Sequence, residues 1–226
     1  MTFVFCPPKE LPDLQSVTAP DGSRYYVTPD GDKFPSVTTV VGAQKKEKIL
    51  EWRRKVGEEH ANKVSRLATS RGTNVHTLCE RYLNNEKLGV IMPDALEMFN
   101  SLKPLLNRIN NIHYQEVALW SKKMQLAGRV DCIGEFDGVL SSIDFKTSKR
   151  IKTEEEIQEY FWQTAAYAIM YEELVGIPIN QLVVIMAVEN EQPLLFVVNT
   201  SDHIDGLVGA IRYYRHFVNG KVNKLL

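Results

Sequence analysis

Apolar residues recur at helical spacing along the first half of the chain and alternate at strand spacing along much of the second. Residues 49–55 and 58–83 place Val64, Leu67, Val75, Leu78 and Tyr82 at intervals that gather on one helix face. Pro93 opens a further helix expected to reach Asn110, with Leu96, Phe99, Leu102 and Leu106 along one stripe. The period then drops to two. Residues 113–120, 126–136 and 139–146 read as strands, joined by turns at 121–125 and at Asp137-Gly138. Thr153 and Glu156 form the T-x-x-E capping box of a helix that runs to Val175 and stops before Gly176 and Pro178. Residues 182–188 and 194–198 are two more strands, and 202–218 a closing helix. Upstream, residues 24–27 and 32–34 flank Pro29-Asp30-Gly31 as a small hairpin, and Ser36 caps a short helix through Val41. Residues 1–22 carry no such period and are expected to form an irregular arm. This order predicts an α/β fold, a mixed central β-sheet flanked by helices with a helical N-terminal region.

Composition removes several classes. A chain of 226 residues, 44% hydrophobic and 24% charged, buries a core of its own and is not disordered. No apolar run approaches the roughly 18 residues of a spanning helix. Pro7, Pro8, Glu10, Pro12 and Asp13 stand where a signal peptide would be apolar. No membrane association or secretion is expected. Cys6, Cys79 and Cys132 are odd in number and lack C-x-x-C spacing, so no disulfide, zinc ribbon or iron–sulfur site is expected. A reducing interior is the expected setting, the cytoplasm of a bacterium or of a phage's host. There the Asn199-Thr200-Ser201 sequon stays silent.

The net charge of −1 argues against coating DNA by bulk electrostatics, but the charge is unevenly spread. Residues 44–71 hold nine Lys/Arg against four Glu, and residues 121–152 hold seven against four acids. Residues 153–173 hold six Glu and no base. Two basic segments suited to phosphates are thus set against an acidic one, although solvated helix faces would show the same runs.

Candidate chemistry comes from hairpin register. Asp-Gly between alternating runs signals a two-residue type I′ turn, which pairs Phe136 with Val139. Counting back five positions on each strand sets Asp131 opposite Asp144, with Lys146 beside Asp144 and opposite Arg129. Two facing carboxylates repel unless a cation lies between them, and oxygen donors so spaced suit Mg²⁺. With an adjacent ammonium, the set fits metal-dependent phosphodiester hydrolysis.

The segments Gly128-Arg129-Val130-Asp131 and Ile143-Asp144-Phe145-Lys146 resemble the core of the PD-(D/E)XK nuclease superfamily, specifically its RecB-like branch. The pattern there is G-x-x-D, then D-x-K, then Q-x-x-x-Y on the next helix, here Gln163 to Tyr167. An earlier R-G-x-x-x-H stretch is matched by Arg71 to His76. Upstream, Phe34-Pro35-Ser36-Val37-Thr38 is similar to the corresponding segment of mitochondrial genome maintenance exonucleases and their tailed-phage relatives. The literal Pro-Asp pairs, Pro12-Asp13 and Pro93-Asp94, lie away from the set.

The resemblance implies a restriction-endonuclease-like domain over residues 23–226, following the 1–22 arm. Its helical part is expected at about 36–110, its catalytic core at about 111–200 and its C-terminal helix at about 202–219. It implies a Mg²⁺-dependent DNA exonuclease, with Mn²⁺ able to substitute, acting on single-stranded DNA or DNA ends in replication, repair or recombination. The alternative is a non-catalytic module on the same fold that binds nucleic acid or a replication partner. With no helicase motif, a free-standing nuclease or one that borrows a replication or recombination partner is expected.

By this resemblance Asp131, Asp144 and Lys146 are catalytic. His76, Asp131, Asp144 and the Phe145 carbonyl are metal ligands, with Glu116 and Glu80 as second-tier acids. Gln163 and Tyr167 position substrate or brace the lysine. Ser36, Thr38 and Arg129 are candidate phosphate contacts. Trp162, more than Trp52 or Trp120, is a candidate for base stacking, core packing being the default for all three.

Overall fold

The computed structural model describes residues 2–89 and 91–222. Its centre is a five-stranded sheet in the order β4 (Ile109–Ser121), β5 (Leu126–Phe136), β6 (Val139–Ser148), β7 (Gln181–Val188), β8 (Leu194–Asn199). Only β6 and β7 are parallel, and the helix α5 (Gln158–Val175) carries the chain between them. A parallel strand covered on both faces has no polar side, which is why Leu182 to Val188 are all buried. The Asp137-Gly138 turn has φ of 52° and 79°, the left-handed pair that a type I′ turn requires.

Helices cover the sheet on both sides. On one face lie α3 (Glu58–Leu83) and α4 (Pro93–Leu106), burying Val75, Leu78, Leu83, Phe99 and Leu102 against Ile112, Phe136, Ile143 and Val183. On the other, α5 packs with α1 (Val37–Val41) and α6 (Ile204–Val222) over Leu119, Val130 and Leu182. The Thr153–Glu156 capping box is formed, and Gly176 at φ 85° closes α5 in the left-handed conformation expected of a C-terminal glycine. Ser36 caps α1 by accepting from the Thr39 N–H. The sheet and its flanking helices are the mixed α/β arrangement the pattern predicts.

Two expectations are corrected. The stretch 1–22, expected as an irregular or weakly structured arm, is irregular over most of residues 2–14 but contains a strand. Gln15–Thr18 form β1, which pairs with β2 (Arg24–Val27) and, through it, with β3 (Lys33–Pro35), while Phe5 bridges Ile112 and Phe3 is buried. All four β1 residues are exposed, so no alternation marks them. The second correction concerns α4, which ends at Leu106 rather than Asn110, because Ile109 and Asn110 enter the sheet opposite Phe136 and Glu135.

The charged segments also find their places. α2 (Lys46–Val56), the centre of the first basic run, buries none of its residues. The acidic run partly neutralises its neighbours, Glu159 meeting Lys45 and Glu156 meeting Arg150. No helix among the described residues is long and apolar enough to cross a membrane, and Cys6, Cys79 and Cys132 are free.

Candidate active site

The β5–β6 ladder follows the predicted register from Phe136↔Val139 to Cys132↔Ile143 and then stops, one step short of Asp131 and Asp144. Asp131 Oδ2 instead accepts the Phe145 backbone N–H at 2.8 Å. From there β5 keeps β4 as its neighbouring strand, with an isolated bridge from Ala127 to Ser36, so Arg129 faces Ala118 and not Lys146. The opposed aspartates expected from the turn are therefore replaced by a carboxylate-to-backbone bond at the point where the strands separate.

Beside it β4 is irregular at the matching residue. Gln115↔Cys132 and Val117↔Val130 are paired, and between them Glu116 adopts φ 49°. A left-handed conformation at a residue with a side chain costs about 1–2 kcal/mol. Here it places Glu116 within reach of Asp131 and of His76 from α3. One ligand atom from each of His76, Glu116 and Asp131 lies within 4.8 Å of the others. The His76 Nδ1 to Asp131 Oδ2 distance is 3.5 Å. Burial raises the Glu116 carboxyl to about 7, with the charges of Asp131 and Glu80 adding to it and Arg129 opposing. A carboxyl so placed gains from a cation.

Asp144 lies on the other side of this cluster, 1% exposed. Its Oδ1 accepts the Gln163 side-chain amide of α5 at 2.8 Å, and its Oδ2 meets the Lys146 ammonium. Burial pushes the Asp144 carboxyl up, and Lys146 pulls it back. Burial likewise disfavours the Lys146 ammonium, but Asp144 and Asp131 outweigh that and hold it above its ordinary value. Its nitrogen also lies 5.0 Å from the centre of the Tyr160 ring.

His76, Glu116, Asp131 and Lys146 face a groove of about 690 Å³, with Asp144 buried behind Lys146 and Gln163. Its walls are Gly72, Thr73, His76 and Glu80 from α3, and Tyr160, Gln163 and Tyr167 from α5. Arg24, Tyr26, Ser36 and Thr38 also line it. Arg129 lines the groove as well, its guanidinium bonded to the Glu116 carbonyl and to Asp13. The Phe145 ring packs in the core, edge-on to His76 with centroids 6.3 Å apart.

Of the residues singled out in the sequence, the structure thus gathers His76, Glu80, Glu116, Arg129, Asp131, Asp144, Lys146, Gln163, Tyr167, Ser36 and Thr38. It does not gather the tryptophans. Trp162 turns to α6, where its indole fills the space a side chain on Gly206 would need. Trp120 packs with the small sheet, and Trp52 is exposed on α2. A residue next to Gln163 on a helix is rotated about 100° away from it, so adjacency in sequence was the wrong signal. Tyr160, Arg24 and Tyr26 were missed. Tyr160 had a signal, lying three residues before Gln163 on the same helix face.

Comparison with known proteins gives the family. The PD-(D/E)XK nuclease superfamily model matches residues 86–212, more than half of the chain. The chain belongs to that superfamily of nucleases, and nucleic acid is its class of substrate. Among solved structures it is similar to a candidate exonuclease from Eubacterium rectale, at 12% identity over 68% of each chain with a TM-score of 0.47. It is also similar to a protein named SSO0001, at 14% identity over 81% of this chain and 74% of that one, with a TM-score of 0.42. No curated relative matches closely enough to stand beside these.

Proposed function

We propose that the protein is a Mg²⁺-dependent DNA exonuclease that acts on single strands or free ends. The observation that carries this is the convergence of His76, Glu116 and Asp131 beside the Asp144–Lys146 pair on one groove. One imidazole nitrogen and two carboxylates form a donor set that a hard divalent cation fits. Asp144 and the Phe145 carbonyl complete the proposed ligands, and Mn²⁺ is expected to substitute. A bound cation would supply Lewis-acid stabilisation of the scissile phosphate and a more acidic water.

The chain's own residues do the rest. The Lys146 ammonium orients the attacking water and meets charge that develops on the phosphoryl oxygens. Gln163 and Tyr160 hold Lys146 and its partner Asp144 in place. Arg24, Arg129, Ser36 and Thr38 bind flanking phosphates, and Tyr167 packs beneath the substrate backbone. Water adds to phosphorus as the P–O bond to the leaving nucleotide breaks, leaving one phosphate and one hydroxyl terminus.

The test incubates end-labelled single- and double-stranded DNA with Mg²⁺, alongside Asp144→Asn and Lys146→Ala. The parent should shorten the labelled strand from an end, EDTA should stop it, and both variants should be inactive. Lys146→Ala should lose turnover more than DNA affinity, since its interaction matures in the transition state. An inactive parent on every substrate would defeat the proposal.

A further inference from the structure

Residues of the β1–β3 sheet line two cavities. Arg24 and Tyr26 of β2 line the groove, while Tyr25 between them lines, with Lys33, Phe34 and Pro35 of β3, a second cavity of about 460 Å³. The floor of that cavity is apolar, formed by Phe34, Val40, Leu126 and Ile211, all buried. Tyr25 and Tyr214 of α6 are its half-buried aromatic walls, their hydroxyls 3.5 Å apart. Two exposed cations stand at the rim. The Lys33 ammonium lies 4.8 Å from the Tyr25 ring centroid, and the Arg215 guanidinium is tethered to the Met124 carbonyl at 3.0 Å. Among the described residues neither has an acidic partner at ion-pair distance.

Aromatic walls over an apolar floor, with two cations free of ion pairs at the rim, suit an unpaired nucleotide; the Asp21 carboxylate that acts on Tyr214 is itself paired with Lys46. The base stacks and its phosphate meets the cations. We propose that this cavity is a second nucleic-acid site, holding an unpaired nucleotide of the strand engaged in the groove. The inference rests on the nuclease reading and adds to it a physical source of single-strand preference. The path between the two sites is short. Ser36 and Thr38 on the groove side and Val40 on the cavity side belong to α1 and its cap. A base inside a duplex has no free face to offer the tyrosines.

Binding of a fluorescein-labelled oligothymidylate to the full chain in EDTA, measured over a series of salt concentrations with variants compared at matched salt, is the test. Tyr25→Ala/Tyr214→Ala should bind about tenfold more weakly. Tyr25→Phe/Tyr214→Phe keeps the rings and should bind as the parent does. Lys33→Gln/Arg215→Gln should weaken binding and flatten its salt dependence by about one unit of slope per lost phosphate contact. Parental affinity in a folded alanine variant would overturn the second site, as would an equal loss in the phenylalanine variant. If the alanine variant does not fold, the exposed Lys33/Arg215 pair decides, and parental affinity there overturns it. A parent that cleaves DNA with Mg²⁺ while all variants bind normally loses only the second site. A parent that neither binds nor cleaves loses both readings.

Discussion

The Tyr167 phenol occupies the space that a side chain on Gly128 would need, for a Cβ there would stand 2.8 Å from its hydroxyl and 2.9 Å from its ring. The first glycine of G-x-x-D and the last residue of Q-x-x-x-Y are thus one contact. The absent side chain lets α5 approach β5 and brings Tyr167 to the groove. Gly128→Ala should therefore destabilise the fold by about 1–3 kcal/mol and lower turnover as the ring is displaced. In a Tyr167→Ala background the same substitution should cost far less. A double-mutant cycle read by urea unfolding checks this, and additive costs would show that the contact is not the cause.

Gln163 is the hydrogen-bond donor to Oδ1 of a buried carboxylate. Gln163→Leu would leave that oxygen unpaired, a loss of about 1–3 kcal/mol by chemical denaturation. Activity should fall with it, since Asp144 in turn holds Lys146. Gln163→Asn, one methylene shorter, should not restore either property.

Glu116 sits among like charges from Asp131 and Glu80. Neutralising it should help the protein without metal and harm its response to metal. Glu116→Gln is expected to melt higher than the parent in EDTA. Mg²⁺ or Mn²⁺ should raise the parent's melting point, with a stabilisation of about 2.7 kcal/mol at a hundredfold excess over Kd, and raise that of Glu116→Gln or His76→Ala much less. Equal shifts in parent and variants would remove both residues from the proposed ligand set.

Two histidines are held neutral away from the groove. Burial pushes His113 and His203 below the usual 6.5, with nearby acids opposing. His203 lies against Phe161 with centroids 4.7 Å apart. Because the unfolded chain takes up these protons first, each group costs stability as pH falls from about 6.5 through its lower folded value, and nothing above that window. Buried carboxyls such as Asp144, raised in the fold, push the other way. The readout is therefore a difference. The stability of the parent relative to His203→Phe, from urea midpoints, should be level between pH 7 and 8 and decline below 6.5.

Most of the elements were legible because their causes are local. Thr153 and Glu156 satisfy each other across one turn, Asp137-Gly138 carries its own left-handed preference, and the α3 stripe repeats within a few residues. β1 was not legible, since four exposed residues paired at the edge of a small sheet carry no apolar signature. The packing partner of Trp162 was not legible for a related reason, for Gly206 lies on a different helix and leaves no mark nearby.

The residue types of the candidate site, and their order along the chain, could be read from the string of letters, since carboxylate, imidazole and ammonium groups declare their chemistry wherever they stand. Their convergence could not. His76, Glu116 and Asp131 come from a helix and two strands, and they meet because α3 packs across the sheet where β4 is irregular and β5 parts from β6. Such meetings depend on packing between residues far apart in the chain, which no local period encodes. An ideal ladder would have set Asp131 against Asp144, and the fold instead turned one carboxylate to the Phe145 backbone and the other to Gln163 and Lys146.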